Sequence, residues 1–266
     1  MKKKIEFIQK ELNKRNRNAG DEDGLMGKDT RAAMGTVIGL PEKWTDNRKV
    51  IGCIQLLGMQ QGLEVNPFDG YWGAQTDHVF ESLQELEEKG ELPENWRDDE
   101  DINTREATTP NPQQWPLESE LERYYGAVGQ NQTRIQLPYK HVIAWDTSQA
   151  ITSFSCHEKV ADSLLRVLNR VLSHYGEEKI KALGLDMFGG CLNVRKIRGG
   201  NRYSTHSWGI SIDYNPAQNK LRWGKDKAQF AKPEYDMWWK CWEDEGWISL
   251  GRLKDYDWMH VQAARR

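Results

Sequence analysis

The feature that most constrains this chain is an internal repeat near its start. Asp23-Gly24-Leu25-Met26-Gly27-Lys28-Asp29-Thr30 returns as Asp69-Gly70-Tyr71-Trp72-Gly73-Ala74-Gln75-Thr76. Gly24 to Gly70, Gly27 to Gly73 and Thr30 to Thr76 are each 46 positions apart, and Ile5/Ile51, Ile8/Ile54 and Gln9/Gln55 keep that offset. A second echo, Leu40-Pro41-Glu42-Lys43-Trp44 against Leu92-Pro93-Glu94-Asn95-Trp96, closes each copy. A unit this short cannot bury a core alone, so the two copies are expected to pack together. Ile5, Ile8 and Leu12 recur at helical spacing. Asp-Gly supplies a turn, and the Thr that follows stands where a hydroxyl can satisfy free N–H groups at a helix start. Each copy therefore reads as helix, loop, helix.

Beyond the repeat the character of the chain changes. Residues 97–117 combine a charged run, Arg97-Asp98-Asp99-Glu100-Asp101, with Pro110, Pro112 and Pro116, and read as an extended linker. The chain thus divides into a helical repeat domain at 1–96, the linker, and a domain at 118–266. In the last of these, Val160, Leu164, Leu165, Leu168, Val171 and Leu172 mark a helix over 157–175, with Gly176 as its stop. Pro233 and the apolar face of Met237, Trp238, Cys241 and Trp242 mark another over 234–245, ended by Gly246. Short β-like runs occur at Ile210–Asp213 and Trp258–Val261. The mixture argues an α+β class.

Charge and composition exclude some partners. A formal net charge of −3 gives no reason to expect nucleic acid. No apolar run approaches the ~20 residues of a membrane span, so no stable membrane insertion is expected. The start, Met1-Lys2-Lys3-Lys4, is basic, but no apolar signal-peptide core follows it, so synthesis in the cytoplasm is expected. Cys53, Cys156, Cys191 and Cys241 form no C-x-x-C pair; they read as reduced buried residues, with a single disulfide left open. Twelve tryptophans suit either a core or a groove for sugar or peptide.

Six histidines occur, and two keep unusual company. One segment reads Ser204-Thr205-His206-Ser207-Trp208-Gly209-Ile210-Ser211-Ile212-Asp213, the other Asp257-Trp258-Met259-His260. A catalytic zinc takes three protein ligands and leaves a position for water. His206, Asp213 and His260 supply two imidazoles and a neutralising carboxylate. Asp213 alternates with Ile210 and Ile212, so it is expected to be partly buried, where a carboxylate needs a cation. Gly209 permits the bend that brings His206 and Asp213 to one point. Asp257, near the centre but not on it, suits a general base. Spacing alone leaves a structural alternative open, since a lone histidine is more often hydrogen-bonded than a ligand. His78, His157 and His174 take that reading, and His141 is unassigned.

Two resemblances add to this. A Gln-bearing helix, D-G-x-x-G-x-x-T and a second helix, seen twice, resemble the peptidoglycan-binding domain family. The second copy continues with Val79, Phe80, Leu83 and Gln84 as the family does, and the first is shorter after Thr30. S-x-H-x-x-G-x-x-x-D at Ser204, His206, Gly209 and Asp213, followed by D-x-x-H at Asp257 and His260, resembles the D-Ala-D-Ala carboxypeptidase/L-alanyl-D-glutamate endopeptidase family of zinc peptidases. Ser211 stands where that family has Ala. Phe188–Arg195 and Asn215–Asn219 extend the likeness, which spans roughly 135–262. It implies a small antiparallel sheet and Zn2+ on His206, Asp213 and His260, with a zinc-bound water near pKa ~7. Asp257 would take and return the proton. Arg195, and less well Arg198, would hold a substrate carboxylate or the developing oxyanion. Ser204 would orient the motif or the substrate. Trp208, with Trp258, would shape the cleft or pack in the core.

Together the resemblances imply a monomeric zinc peptidase that cuts the peptide stem of peptidoglycan, tethered to the wall by its first domain. An enzyme of the phage endolysin kind, released through a separate membrane pore, fits the missing signal peptide. The alternatives are a bacterial D,D-carboxypeptidase that trims terminal D-Ala, and a wall-binding protein without catalysis.

Overall fold

The computed structural model describes residues 1–65, 67–94, 97 and 110–266. The chain forms two units, Met1–Glu94 and Asn95–Arg266. Most of the expected linker, 98–109, lies outside the described residues, as does Trp96 of the second echo.

The first unit contains α1 (Lys2–Lys14), α2 (Lys28–Gly35), α3 (Asp46–Gln60) and α4 (Ala74–Lys89). Ile8, Ile54 and Val79 are buried at its centre, and Phe7 meets Phe80 edge-on at 5.2 Å. The repeat has a visible physical cause. The Gln9 amide nitrogen donates toward Asp23 Oδ1, the Leu25 carbonyl and Thr30 Oγ1 at 3.0–3.1 Å, while the Gly24 N–H donates to Gln9 Oε1 at 2.8 Å. The Gln55 amide faces Asp69, Tyr71 and Thr76 in the same way, and the Gly70 N–H donates to it at 2.9 Å. A buried amide must have its donors and acceptor satisfied. Each glutamine therefore clamps its own D-G-x-x-G-x-x-T loop, and the signature residues serve one another. Gly24 and Gly70 sit at φ 72° and 68°, which side chains other than hydrogen rarely adopt.

The second unit contains α5 (Leu121–Tyr125), β1 (Gln132–Ile143), β2 (Asp146–His157), α6 (Glu158–Leu183), β3 (Met187–Gly190), β4 (Ser211–Tyr214), α7 (Asp236–Glu243), β5 (Ile248–Ser249), α8 (Leu250–Lys254) and β6 (His260–Gln262). They make an α+β fold around one six-stranded sheet of order β2-β1-β3-β4-β6-β5. The sheet is mixed rather than antiparallel, because β3 pairs with β1 in parallel. Parallel neighbours cannot be joined by a tight hairpin; here the connection between them includes α6.

Helix α6 packs across β1, and its buried Val160, Leu164, Leu168 and Val171 are the face that the spacing predicts. Gly176 interrupts it at φ 68°, ψ 159°, but helix resumes to Leu183, so the expected stop is a break inside a longer element. His157 caps its start, accepting from the Lys159 N–H at 3.1 Å. Helix α7 brings Trp238, Trp239 and Trp242 into the core, where seven of the tryptophans, Trp115, Trp208, Trp247 and Trp258 included, are buried. All four cysteines are free thiols and buried.

Residues 110–117, expected as a tether from their prolines, are pinned to the second unit. Trp115 is buried and donates its indole N–H to the Glu245 carbonyl at 3.0 Å, and the Arg265 N–H donates to the Pro116 carbonyl at 2.7 Å. Arg97, from the same stretch, is buried as well. No helix among the described residues is long and apolar enough to cross a membrane.

Candidate metal centre and its cleft

Three local structures bring the centre together. Ser204 opens a turn of 3-10 helix over Thr205–Trp208, its hydroxyl accepting from the His206 N–H at 3.4 Å. Gly209, at φ 68°, ends that turn and sends the chain into β4. There Asp213 pairs across the sheet with His260 on β6 and with Gly190 on β3. A Cβ on Gly189 would stand 3.0 Å from the Asp213 carbonyl oxygen, tight enough that β4 would have to give by a few tenths of an ångström to admit one.

His206 Nε2, His260 Nδ1 and Asp213 Oδ1 form a triangle with sides of 3.0, 3.1 and 3.2 Å, and all three residues are buried. The outer nitrogens fix the tautomers. His206 Nδ1 lies 2.6 Å from the Cys191 carbonyl, so it carries the proton. Gln262 donates its amide to Glu118 at 2.8 Å and to the Ala264 carbonyl at 3.1 Å. Its Oε1 is therefore an acceptor, 3.1 Å from His260 Nε2, which must donate. Burial holds the His206 pKa below its ordinary value despite the opposing charge of Asp213, so the ring is neutral. Both rings thus turn their inner nitrogens toward Asp213 Oδ1. Outward N–H bonds to carbonyl oxygens are the usual support of metal-bound imidazoles.

The residues fit a metal ion: His206, Asp213 and His260 could hold one. Ligands at ~2.0–2.1 Å in a tetrahedral set lie roughly 3.3 Å apart, close to the sides of this triangle. The remaining Asp213 oxygen, Oδ2, accepts from Arg198 Nη2 at 3.2 Å, leaving a single oxygen for the centre. Arg198 is thereby tied to Asp213.

The centre opens into a cleft that His206, His260, Ser204, Arg195 and Asp257 all line. Asp257 is 2% exposed and held at φ 58°, a left-handed conformation that Asp tolerates better than most residues. Its N–H donates to the Leu221 carbonyl, and its carbonyl accepts from the His260 N–H. Oδ1 has no hydrogen-bond partner among the described residues.

Four arginines line the cleft, and three have an acid partner. Arg97 faces Asp257 at 3.6 Å, Arg198 faces Asp213, and Arg202 faces Glu118 at 3.2 Å. Arg195 has no carboxylate partner among the described residues. Its side chain donates to the Lys196 carbonyl at 2.9 Å, and its Nε is unbonded. Burial, with Arg198 nearby, lowers its pKa to about 9.

Trp208 does not line the cleft: its indole N–H is bound to the Gly126 carbonyl at 2.7 Å. Trp258 likewise donates to Asp255 and packs on Trp239. Both belong to the core. The sequence reading missed Arg97, Glu118, Arg202 and Gln262. Gln262 had a signal, since it lies two residues from His260 and shares its strand face. Arg97 had none, being the first residue of a charged run.

Searches of family models, of curated proteins and of solved structures give no match to this chain.

Proposed function

We propose that the second unit is a zinc peptidase acting on the peptide stem of bacterial peptidoglycan, and that the first unit holds the chain to the wall. What carries this reading is the meeting of the buried His206–Asp213–His260 group with a cleft that His206, His260 and a further buried carboxylate, Asp257, line together. A purely structural ion has no use for that second acid.

Zinc bound to His206, Asp213 and His260 would acidify water and polarise a carbonyl. Asp257 accepts the proton of the attacking water on Oδ1 and returns it to the leaving amine. Arg195, a buried cation without a carboxylate partner among the described residues, takes a carboxylate of the substrate next to the scissile bond. Stem peptides carry such groups both at D-Glu and at the terminal D-Ala. Ser204 sets the His206 backbone, and Gln262 and Cys191 hold the two rings.

The test is zinc content alongside lysis of purified peptidoglycan, for the intact chain and for His206→Ala. The expected result is about one zinc per chain, lost together with lysis in the variant. Activity that survives thorough chelation would overturn the reading. Arg195 suits a terminal carboxylate as well as an internal one, so products should be weighed by mass. Free alanine indicates a D,D-carboxypeptidase, and solubilised wall fragments indicate an endopeptidase. Wall binding without zinc or hydrolysis would leave a non-catalytic binder.

A further inference from the structure

Arg97 precedes every other residue of the cleft in sequence and, Glu118 apart, lies far upstream of them, in a stretch whose charge and prolines read as tether. Its placement is nonetheless fixed at several points. Its N–H donates to the Gly199 carbonyl at 2.8 Å, and its carbonyl accepts from Arg202 Nη2 at 3.1 Å. Arg202 is in turn held by Glu118. The guanidinium lies 5.3 Å from the ring centre of Tyr256, whose hydroxyl accepts from Arg266 at 2.9 Å. Beyond that ring, Arg97 Nη1 reaches Asp257 Oδ2 at 3.6 Å, with both side chains at most 10% exposed.

The two oxygens of Asp257 therefore differ. Oδ2 faces a fixed cation, and Oδ1 is unbonded. A separation of 3.6 Å is an ion pair rather than a hydrogen bond, so it orients the carboxylate without occupying a lone pair. Arg97 thus holds one oxygen of the Asp257 carboxylate within ion-pair distance.

We infer that Arg97 is a positioning residue for Asp257: it anchors Oδ2 so that Oδ1 is the oxygen presented to the reacting water. This rests on the peptidase reading above, with Asp257 as its base. It also means that the site is completed by a residue from outside the segment that carries the metal ligands.

The test uses the full chain with a soluble stem peptide as substrate. Arg97→Ala should lower kcat on the order of tenfold to a hundredfold, the usual effect of a misplaced catalytic group, while KM stays within about twofold. Zinc content should be unchanged, and Arg97→Lys should recover part of the loss. A second readout needs no activity. In thermal unfolding of metal-free protein, Arg97→Ala, Asp257→Asn and the double variant form a cycle. Coupling is expected, with the double variant losing less Tm than the sum of the single losses. Additive losses, or an unchanged kcat in Arg97→Ala, would overturn the inference alone. A raised KM at constant kcat would also overturn it, by making Arg97 a substrate contact. A wild-type chain that binds zinc and cuts no stem peptide would instead overturn the peptidase reading, and the catalytic role of Arg97 with it. If Arg97→Ala fails to fold, Arg97→Gln and Arg97→Lys carry the same comparison.

Discussion

Asp213 and His260 stand directly opposite each other on β4 and β6, with Asp213 Oδ1 3.0 Å from His260 Nδ1. The cross-strand pair sets two corners of the metal triangle before any ion arrives. Gln262 Oε1, at 3.1 Å, is the nearer of two side-chain oxygens at His260 Nε2, Thr205 Oγ1 being the other at 3.4 Å, and it helps to keep Nδ1 facing inward. Gln262→Ala should therefore weaken zinc binding by roughly 10- to 100-fold. Competition against a chelator of known affinity would measure it. An unchanged affinity would remove Gln262 from the support of the ring.

Asp257→Asn keeps the shape of the side chain and removes its basicity. Hydrolysis is expected to fall by about 10²- to 10⁴-fold, the span of general-base contributions. Zinc content and wall binding should be retained. A variant of near-normal activity would show that some other group takes the proton.

The repeat makes a prediction about the first unit alone. Gln9→Ala strands the Gly24 N–H and Gln55→Ala the Gly70 N–H, while Thr30 and Thr76 lose an amide donor but keep their bonds to the Ala19 and Tyr71 carbonyls. Each buried group left without a partner costs about 1–3 kcal/mol. Both variants should lower the melting point of the first unit and leave zinc affinity untouched. Calorimetry with metal titration reads the two effects separately.

His141 predicts a pH dependence. It is fully buried, its Nδ1 faces the Tyr139 carbonyl at 3.2 Å and its Nε2 faces the Tyr214 hydroxyl at 3.1 Å. Burial lowers its pKa to about 4, against the opposing pull of the Tyr139 carbonyl. Because the folded value is depressed, the unfolded chain binds the extra proton between about pH 6.5 and about pH 4. Stability from this group is present above that window and lost as pH falls through it, by up to roughly 3 kcal/mol at 1.36 kcal/mol per unit. Denaturant unfolding of metal-free protein should show this slope, and His141→Gln should flatten it. Equal slopes in the two proteins would contradict the assignment.

Two of the three candidate metal-binding residues were legible from local sequence: His206, a Gly at the bend and Asp213 lie within eight positions of one another on one turn and strand, while His260 joins them from a second strand. The helices of the first unit were legible from their repeat, although the reason for Gln9 and Gln55 emerged only with their loops folded around them. The β1–β2 hairpin was not legible. β2 is largely polar and β1 half so, β2 is an edge with Asp146 to Ala150 exposed, and Pro138 sits where the register shifts. Pattern rules read such a segment as loop. The parallel β1–β3 pairing and the arrival of Arg97 depend on contacts distant in sequence, for which local composition holds no signal. Trp208 could be placed near the ligands but not oriented, since its direction is set by the Gly126 carbonyl.

His206 and His260 are separated by 54 positions, yet face one point. An ion gripped by both closes that stretch into a loop, and a closed loop has fewer unfolded conformations to return to. The binding free energy of the ion is then also folding free energy. Removal of an ion bound there should loosen β4 from β6, because such an ion would act as a staple that can be removed without breaking a covalent bond.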